Sequence, residues 1–159
     1  MFGFRKKAPV HSVWDFHFEV SDGDRDRLMP MERQVLAICD LRQEVQSGGF
    51  DSYFRYWGGD TAPLARSAIG HLLGRPWADL LAEAMSIFGE VYPLDCDSRT
   101  EQLEVLDADA TLNEFDTRLY DLEPQQDSDA LLTAALNTAR TRPRSGRSFA
   151  TRQSTSFPS

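Results

Sequence analysis

Glu44-Val45-Gln46-Ser47-Gly48-Gly49-Phe50-Asp51-Ser52-Tyr53-Phe54 joins the two most regular parts of the chain. Upstream, Val35, Ile38, Leu41 and Val45 recur at spacings of three and four, the apolar stripe of a helix. Pro30 stands just before that stripe, where a first-turn proline is tolerated. The Gly48-Gly49 pair closes it, because glycine accepts the positive-φ backbone that ends helices. The spacing therefore predicts a helix from Met31 to the glycines, a left-handed cap, and a turn that brings Phe50 back. Asp51 or Ser52 then caps a short second helix carrying Tyr53, Phe54 and Trp57, which Gly58-Gly59-Asp60 breaks.

Further helices follow in the C-terminal direction. Thr61 caps a third, with Pro63 in its first turn and Ala68, Ile69 and Leu72 facing inward until Gly74. Pro76 opens a fourth, with Trp77, Leu80, Leu81, Ala84, Met85 and Phe88 inward and Gly89 at its end. After a connector containing Pro93, Asp97 or Ser98 caps a fifth with Leu103 and Leu106. Leu112, Phe115, Leu119 and Leu122 mark a sixth. A seventh, capped by Asp127 or Ser128, carries Leu131, Leu132, Ala135 and Leu136. The fold class is all-α, a compact bundle of about six to seven helices. Its expected core includes Val45, Phe50, Phe54, Ile69, Leu72, Leu81, Met85, Phe88, Leu112, Phe115 and Leu119.

Two appendages are expected. Residues 1–29 read as an N-terminal arm, in which Trp14, Phe16, Phe18 and Val20 alternate with polar residues in the period-two pattern of a half-buried strand. A helical or extended segment packed on the body is the alternative. The acidic helical domain spans 30–138. Residues 139–159, rich in Arg, Ser, Thr and Pro, lack an apolar stripe and read as a disordered basic tail.

Composition narrows the functional classes. Of 159 residues 41% are hydrophobic, enough for a core, and no run approaches the ~20 apolar residues of a membrane span. Pro9, His11 and Asp15 interrupt any leader-like apolar stretch, so the cytoplasm is the expected location. Cys39 and Cys96 match no metal or redox spacing and read as idle thiols. His11, His17 and His71 lack the partners of a zinc set; the first two read as ordinary surface or partly buried histidines, and His71 as a satisfied or exposed one. No nucleophile elbow, glycine-rich phosphate loop or calcium loop is present. No catalytic residue, metal ligand or cofactor is therefore nominated, and an enzyme with an unrecognised site is kept only as the contrasting class.

Charge is the unusual feature. The net charge of −8 conceals a body, residues 1–137, with 12 basic and 25 acidic residues, followed by five tail arginines. Between Asp95 and Asp129 stand 12 acids against Arg99 and Arg118, a net of −10. Asp97, Glu101 and Glu104 fall at i, i+4 and i+7 on one helical face, where like charges cost ~0.2–0.5 kcal/mol per pair. Stability does not ask for such a pattern. A solvated face that keeps the protein soluble is the plain explanation. A surface presenting carboxylates to a basic partner is the functional one. The candidate partner-binding residues are Asp95, Asp97, Glu101, Glu104, Asp107, Asp109, Glu114 and Asp116. So acidic a surface repels nucleic acid, which rules out base stacking by Phe50, Tyr53, Phe54, Tyr56 and Trp57 in favour of packing or a protein contact.

The stretch that opens this section, with Glu44, Gly48, Gly49, Phe50, Tyr53 and Phe54, resembles the E-V-x-x-G-G-F-x-x-Y-F signature of the DNA mimic protein 19 family. Ala68-Ile69-Gly70, Ala84, Phe88-Gly89, Pro93, Leu112, Phe115-Asp116 and Leu119-Tyr120 are similar to its later helices, so the likeness runs over roughly 31–122. The resemblance implies an all-α bacterial domain. The family's named member resembles DNA in surface charge, dimerises and binds a transcription regulator in place of the operator. By that resemblance the partner is a basic DNA-binding protein or regulator and homodimerisation is an expectation. An immunity or neutralising protein is the alternative for a small, acidic, non-catalytic chain.

Overall fold

The structure, a computed structural model, describes residues 7–142. Seven α-helices and four short 3-10 turns make up the regular structure of those residues: α1 (Val13–Glu19), α2 (Pro30–Arg55), α3 (Ala62–Leu73), α4 (Arg75–Met85), α5 (Cys96–Val105), α6 (Asp109–Leu122) and α7 (Ser128–Thr141). The fold is an all-α bundle. Helix α2 is its mast, packed against α1, α3, α5, α6 and α7. Helices α3 and α4 form a hairpin on it, α6 closes over α4, and α7 returns between α3 and α1.

The two helices expected on either side of Gly48-Gly49 form one kinked mast. Gly49 alone breaks it, at φ 76° and ψ 178°. That conformation has the expected positive φ, but it is more extended than a left-handed cap, and the chain re-enters the helix at once. Asp116 on α6 explains why the break holds. Its Oδ1 accepts the Phe50 N–H at 2.7 Å, and a Cβ on Gly49 would collide with the same carboxylate. The kink turns Phe50, Tyr53 and Phe54 fully inward. There Phe54 meets Phe88 edge-on at 5.0 Å and Phe50 meets Phe115 at 6.1 Å. Every expected core residue is buried except Leu72, which is half-buried while Leu73 takes the inward position. Leu106 and Leu131, expected on stripes, face solvent.

Residues 13–19 are helical, which corrects the strand expected over 14–20. The Ser12 hydroxyl accepts the Trp14 N–H at 3.1 Å and caps the helix. Val13 and Phe16, three apart, are the buried pair, whereas Phe18 of the period-two pattern is exposed. The tail expectation also changes at its start. Helix α7 continues to Thr141, and Arg140 donates to the Ala8 carbonyl at 2.9 Å and to Glu32 at 2.6 Å. Asn137 pairs with both backbone groups of Val10, at 2.7 and 2.9 Å. The first turn of the expected tail is thus a clasp on the N-terminal segment, and α1 belongs to the body. Residues 143–159 lie outside the described residues.

Glu32 is fully buried near the start of α2. Burial opposes its ionisation, but Lys7, the Met29 N–H and Arg140 more than compensate and hold its carboxyl below the ordinary glutamate value. A depressed acid contributes stability at neutral pH and loses it as pH falls through the folded-state value. Arg140→Ala should therefore destabilise the protein at pH 7 by roughly 1.5–3 kcal/mol. The gap to wild type should narrow below about pH 4.5. Denaturant unfolding across pH checks both. Gly49→Ala should cost at least ~1 and up to ~3 kcal/mol, and adding Asp116→Ala should recover only the part due to collision. A wild-type unfolding midpoint in Gly49→Ala would mean that α2 needs no break there.

Candidate functional site

Helix α5 carries Asp97, Glu101 and Glu104 of the candidate set on a thin base. Only Arg99 and Leu103 of its residues are buried. Arg99 is fully enclosed and uses its whole guanidinium. Nε donates to the Phe54 carbonyl at 2.8 Å and Nη1 to the Pro93 carbonyl at 2.9 Å. Nη2 donates to the Tyr56 carbonyl at 3.0 Å and to Asp60 Oδ1 at 2.5 Å. The guanidinium also lies over the Tyr92 ring at 5.4 Å, and the Tyr92 hydroxyl donates to the Gly59 carbonyl at 2.6 Å. Gly59 has no space for a side chain, since a Cβ would stand 2.6 Å from the Tyr53 carbonyl and 3.0 Å from Arg99 Nη2. One arginine thus fastens α5 to the end of α2, where the C-terminal carbonyls of a helix welcome a cation.

With α5 fixed this way, Asp97, Glu101 and Glu104 all point to solvent. Asp107 follows in the link, Asp109 opens α6, and Glu114 is exposed on it, as is Asp121 one heptad later. Asp95 is exposed but caps α5. Its carboxylate accepts the Ser98 N–H and hydroxyl, both at 2.8 Å, which lowers its pKa. Asp127 caps α7 in the same way. Asp116, another member of the candidate set, is also used by the fold itself, half-buried beneath the Gly49 kink, with burial raising its pKa.

Not every acid of the stretch is available. The buried Arg42 on α2 takes Glu123 at 2.8 Å and Asp129 at 2.7 Å. Arg118 pairs with Glu83 of α4. Asp95, Asp97, Glu101, Glu104, Asp107, Asp109, Glu114, Asp121 and Asp127 are exposed and have no ion-pair partner among the described residues. Both arginines of the stretch are committed elsewhere, Arg99 to Asp60 and Arg118 to Glu83, so neither screens α5. Asp121 and Glu83 line a groove between α4 and α6 together with Pro76, Asp79, Arg118 and Leu122.

The family-motif residues sit beneath this face rather than on it. Gly49, Phe50, Tyr53 and Phe54 are buried, Gly48 is exposed, and Glu44 is half-buried, accepting the Ser52 hydroxyl at 3.3 Å. A family model with the description DMP19-like protein matches residues 26–139. The chain belongs to the DMP19-like protein family. No curated protein and no solved structure shows significant similarity to it. In this DMP19-like chain the match spans α2 to α7 and leaves α1 outside it.

Reading the sequence missed Arg99, which looked like a charge diluting an acidic run. Its one visible signal is register: it stands four residues before Leu103, on the inward side of α5. The histidines make no metal set: His17 Nε2 lies 2.8 Å from Asp40, and His71 is exposed. Among the described residues no three His, Cys, Asp or Glu side chains are grouped to hold a metal. Cys39 is buried, which pushes its thiol up to about 12. In the DMP19-like chain Arg99→Leu should strip three carbonyls and Asp60 of their donor. A loss of ~3–5 kcal/mol is expected, the scale for breaking a buried charged cluster. Amide exchange should rise first in α5. Uniform exchange across the bundle would show instead that α5 is not separately tethered.

Proposed function

We propose that this DMP19-like chain is a non-catalytic protein-binding domain that acts as a DNA mimic, taking a basic DNA-binding protein or regulator through the carboxylates of α5, the α5–α6 link and α6. The row of exposed acids without ion-pair partners among the described residues carries the reading. Three charges on α5 span seven residues, about 10 Å of helix axis at ~1.5 Å per residue. That is one per ~5 Å, against one per ~3.4 Å along a strand of B-DNA. Helix α5 alone is therefore too sparse to imitate a strand, and the link and α6 must supply the remaining charge. The family membership supports the same reading. No helix of the described residues is long and apolar enough to cross a membrane. A DNA-binding partner places the action in the cytoplasm.

Attraction of this kind is long-ranged and screened. Binding should weaken steeply with salt as the screening length falls from ~10 Å at 0.1 M to ~3 Å at 1 M. Replacing Asp97, Glu101, Glu104 and Asp107 by Asn or Gln should slow association with little change in melting temperature, because exposed steering charges act on the on-rate. Proteins captured by wild type from its host should be DNA-binding, and duplex DNA should compete for them. If the neutralised variant captures the same proteins at the same rate, the acids serve solubility alone and the mimic reading falls.

A further inference from the structure

A cleft of about 240 Å³ opens where four parts of the chain meet. Its walls come from the 3-10 turn over Asp22–Arg27, from α2, from the 3-10 turn over Trp57–Thr61 and from α3. Most of the charge around it is already answered. Arg25 holds the buried Asp40 through both terminal nitrogens, at 2.5 and 2.9 Å, and stands 3.7 Å from Asp22. Asp60 answers Arg99 at 2.5 Å. Two charges are left over. Asp26 and Arg33 line the same cleft, yet neither side chain has an ion-pair or hydrogen-bond partner among the described residues, and they do not pair with each other. The apolar part of the wall is Trp57 and the partly buried Leu64. Arg25 lies over the indole at 5.3 Å, and Trp57 is still 45% exposed.

We infer that this cleft binds a free α-amino acid with an apolar side chain, its carboxylate taken by Arg33, its ammonium by Asp26 and its side chain by Trp57 and Leu64. Size sets the class of molecule. Clefts for drug-sized ligands run to ~300–1,000 Å³, so this one suits something smaller. Charge selects a zwitterion. A simple anion answers Arg33 but meets the carboxylates of Asp22, Asp26 and Asp60. A simple cation answers Asp26 but meets Arg25 and Arg33. A ligand carrying both signs leaves neither leftover charge without a partner. The planar guanidinium of Arg33 matches a carboxylate through two parallel hydrogen bonds, and the Asp26 carboxylate accepts from an ammonium. The walls are set in advance, because Arg25 and Asp60 are fixed by Asp40 and Arg99 behind them. Little ordering is then left to oppose binding. None of the lining residues belongs to the acidic face of α5 and α6, so the site stands or falls apart from the DNA-mimic reading.

The test titrates the full chain by calorimetry, in low-salt buffer free of amines and carboxylates, with three probes of one shape. L-Phenylalanine carries both charges, 3-phenylpropionate lacks the ammonium and phenethylamine lacks the carboxylate. Phenylalanine should bind saturably, with a Kd in the millimolar range or tighter. Each single-charge probe should bind about tenfold or more weakly than that, the scale of one charge-assisted hydrogen bond. Two variants then assign the ends of the ligand, and neither removes a contact that the fold uses. Arg33→Gln should weaken phenylalanine to the level of phenethylamine and leave phenethylamine unchanged. Asp26→Asn should weaken phenylalanine to the level of 3-phenylpropionate and leave that probe unchanged. Absence of saturable binding by phenylalanine overturns the site. So does equal binding of phenylalanine and either single-charge probe, or phenylalanine affinity that survives both substitutions.

Discussion

A helical stretch enclosed on every side cannot leave a charge unanswered, and the middle of α2 is so enclosed. Val35 through Arg42 are all buried, one residue after another, so this stretch has no solvent face to which a polar side chain can turn. It nevertheless carries Asp40 and Arg42 inside the bundle, and Glu32 is buried three residues before it. Each is answered from a different part of the chain. Lys7 and Arg140 reach Glu32 from the two ends. His17 and Arg25 reach Asp40 from the segment before α2, with Arg25 bidentate at 2.5 and 2.9 Å. Glu123 reaches Arg42 from the α6–α7 connection and Asp129 from the first turn of α7. Buried ion pairs add little net stability over apolar packing, but removing one partner is expensive. Such pairs therefore select where each segment docks. A segment seated in the wrong place leaves a charge uncompensated in the interior.

This explains what was legible in the sequence and what was not. Apolar spacing is local, so the helices from α2 to α7, their glycine stops and nearly all of the core follow from it. Long-range pairing is not local. Arg140 looked like the first arginine of a basic tail because its partner, Glu32, lies 108 positions away. The N-terminal aromatics looked like a strand because alternate apolar residues are also compatible with a helix when one of them, Phe18, is simply exposed. Gly49 was readable as a break, but Asp116, which fixes the form of that break, stood in the sequence as one acid of a run and as part of the Phe115-Asp116 likeness, with nothing to tie it to the glycines. Within the candidate face, Asp97, Glu101, Glu104, Asp107, Asp109 and Glu114 are exposed. Composition could not separate them from Asp116, Glu123 and Asp129, because that separation depends on where Phe50 and Arg42 arrive.

The acids of this chain thus divide by work. Glu32, Asp40, Glu123 and Asp129 face arginines or other donors and belong to the fold. The carboxylates of α5 have no such duty, and their mutual repulsion is a small standing cost. That cost falls on a helix with few buried residues to offset it, since α5 contributes only Leu103 and Arg99 to the interior.

An arginine, rather than a larger apolar contact, is what makes this arrangement workable. A helix held by leucines would have to devote a whole stripe to the core, leaving fewer positions for charge around its circumference. Arg99 instead concentrates the attachment at one point, because a single planar guanidinium satisfies the Phe54, Tyr56 and Pro93 carbonyls and the Asp60 carboxylate together. Lysine has only three donors on a point charge and cannot match that planar set. The same attachment carries a positive charge into a helix that must look negative from outside, yet Asp60 and complete burial keep that charge from the surface. Tethering through a hidden, internally neutralised arginine is therefore the solution that leaves most of the circumference of α5 free for carboxylates.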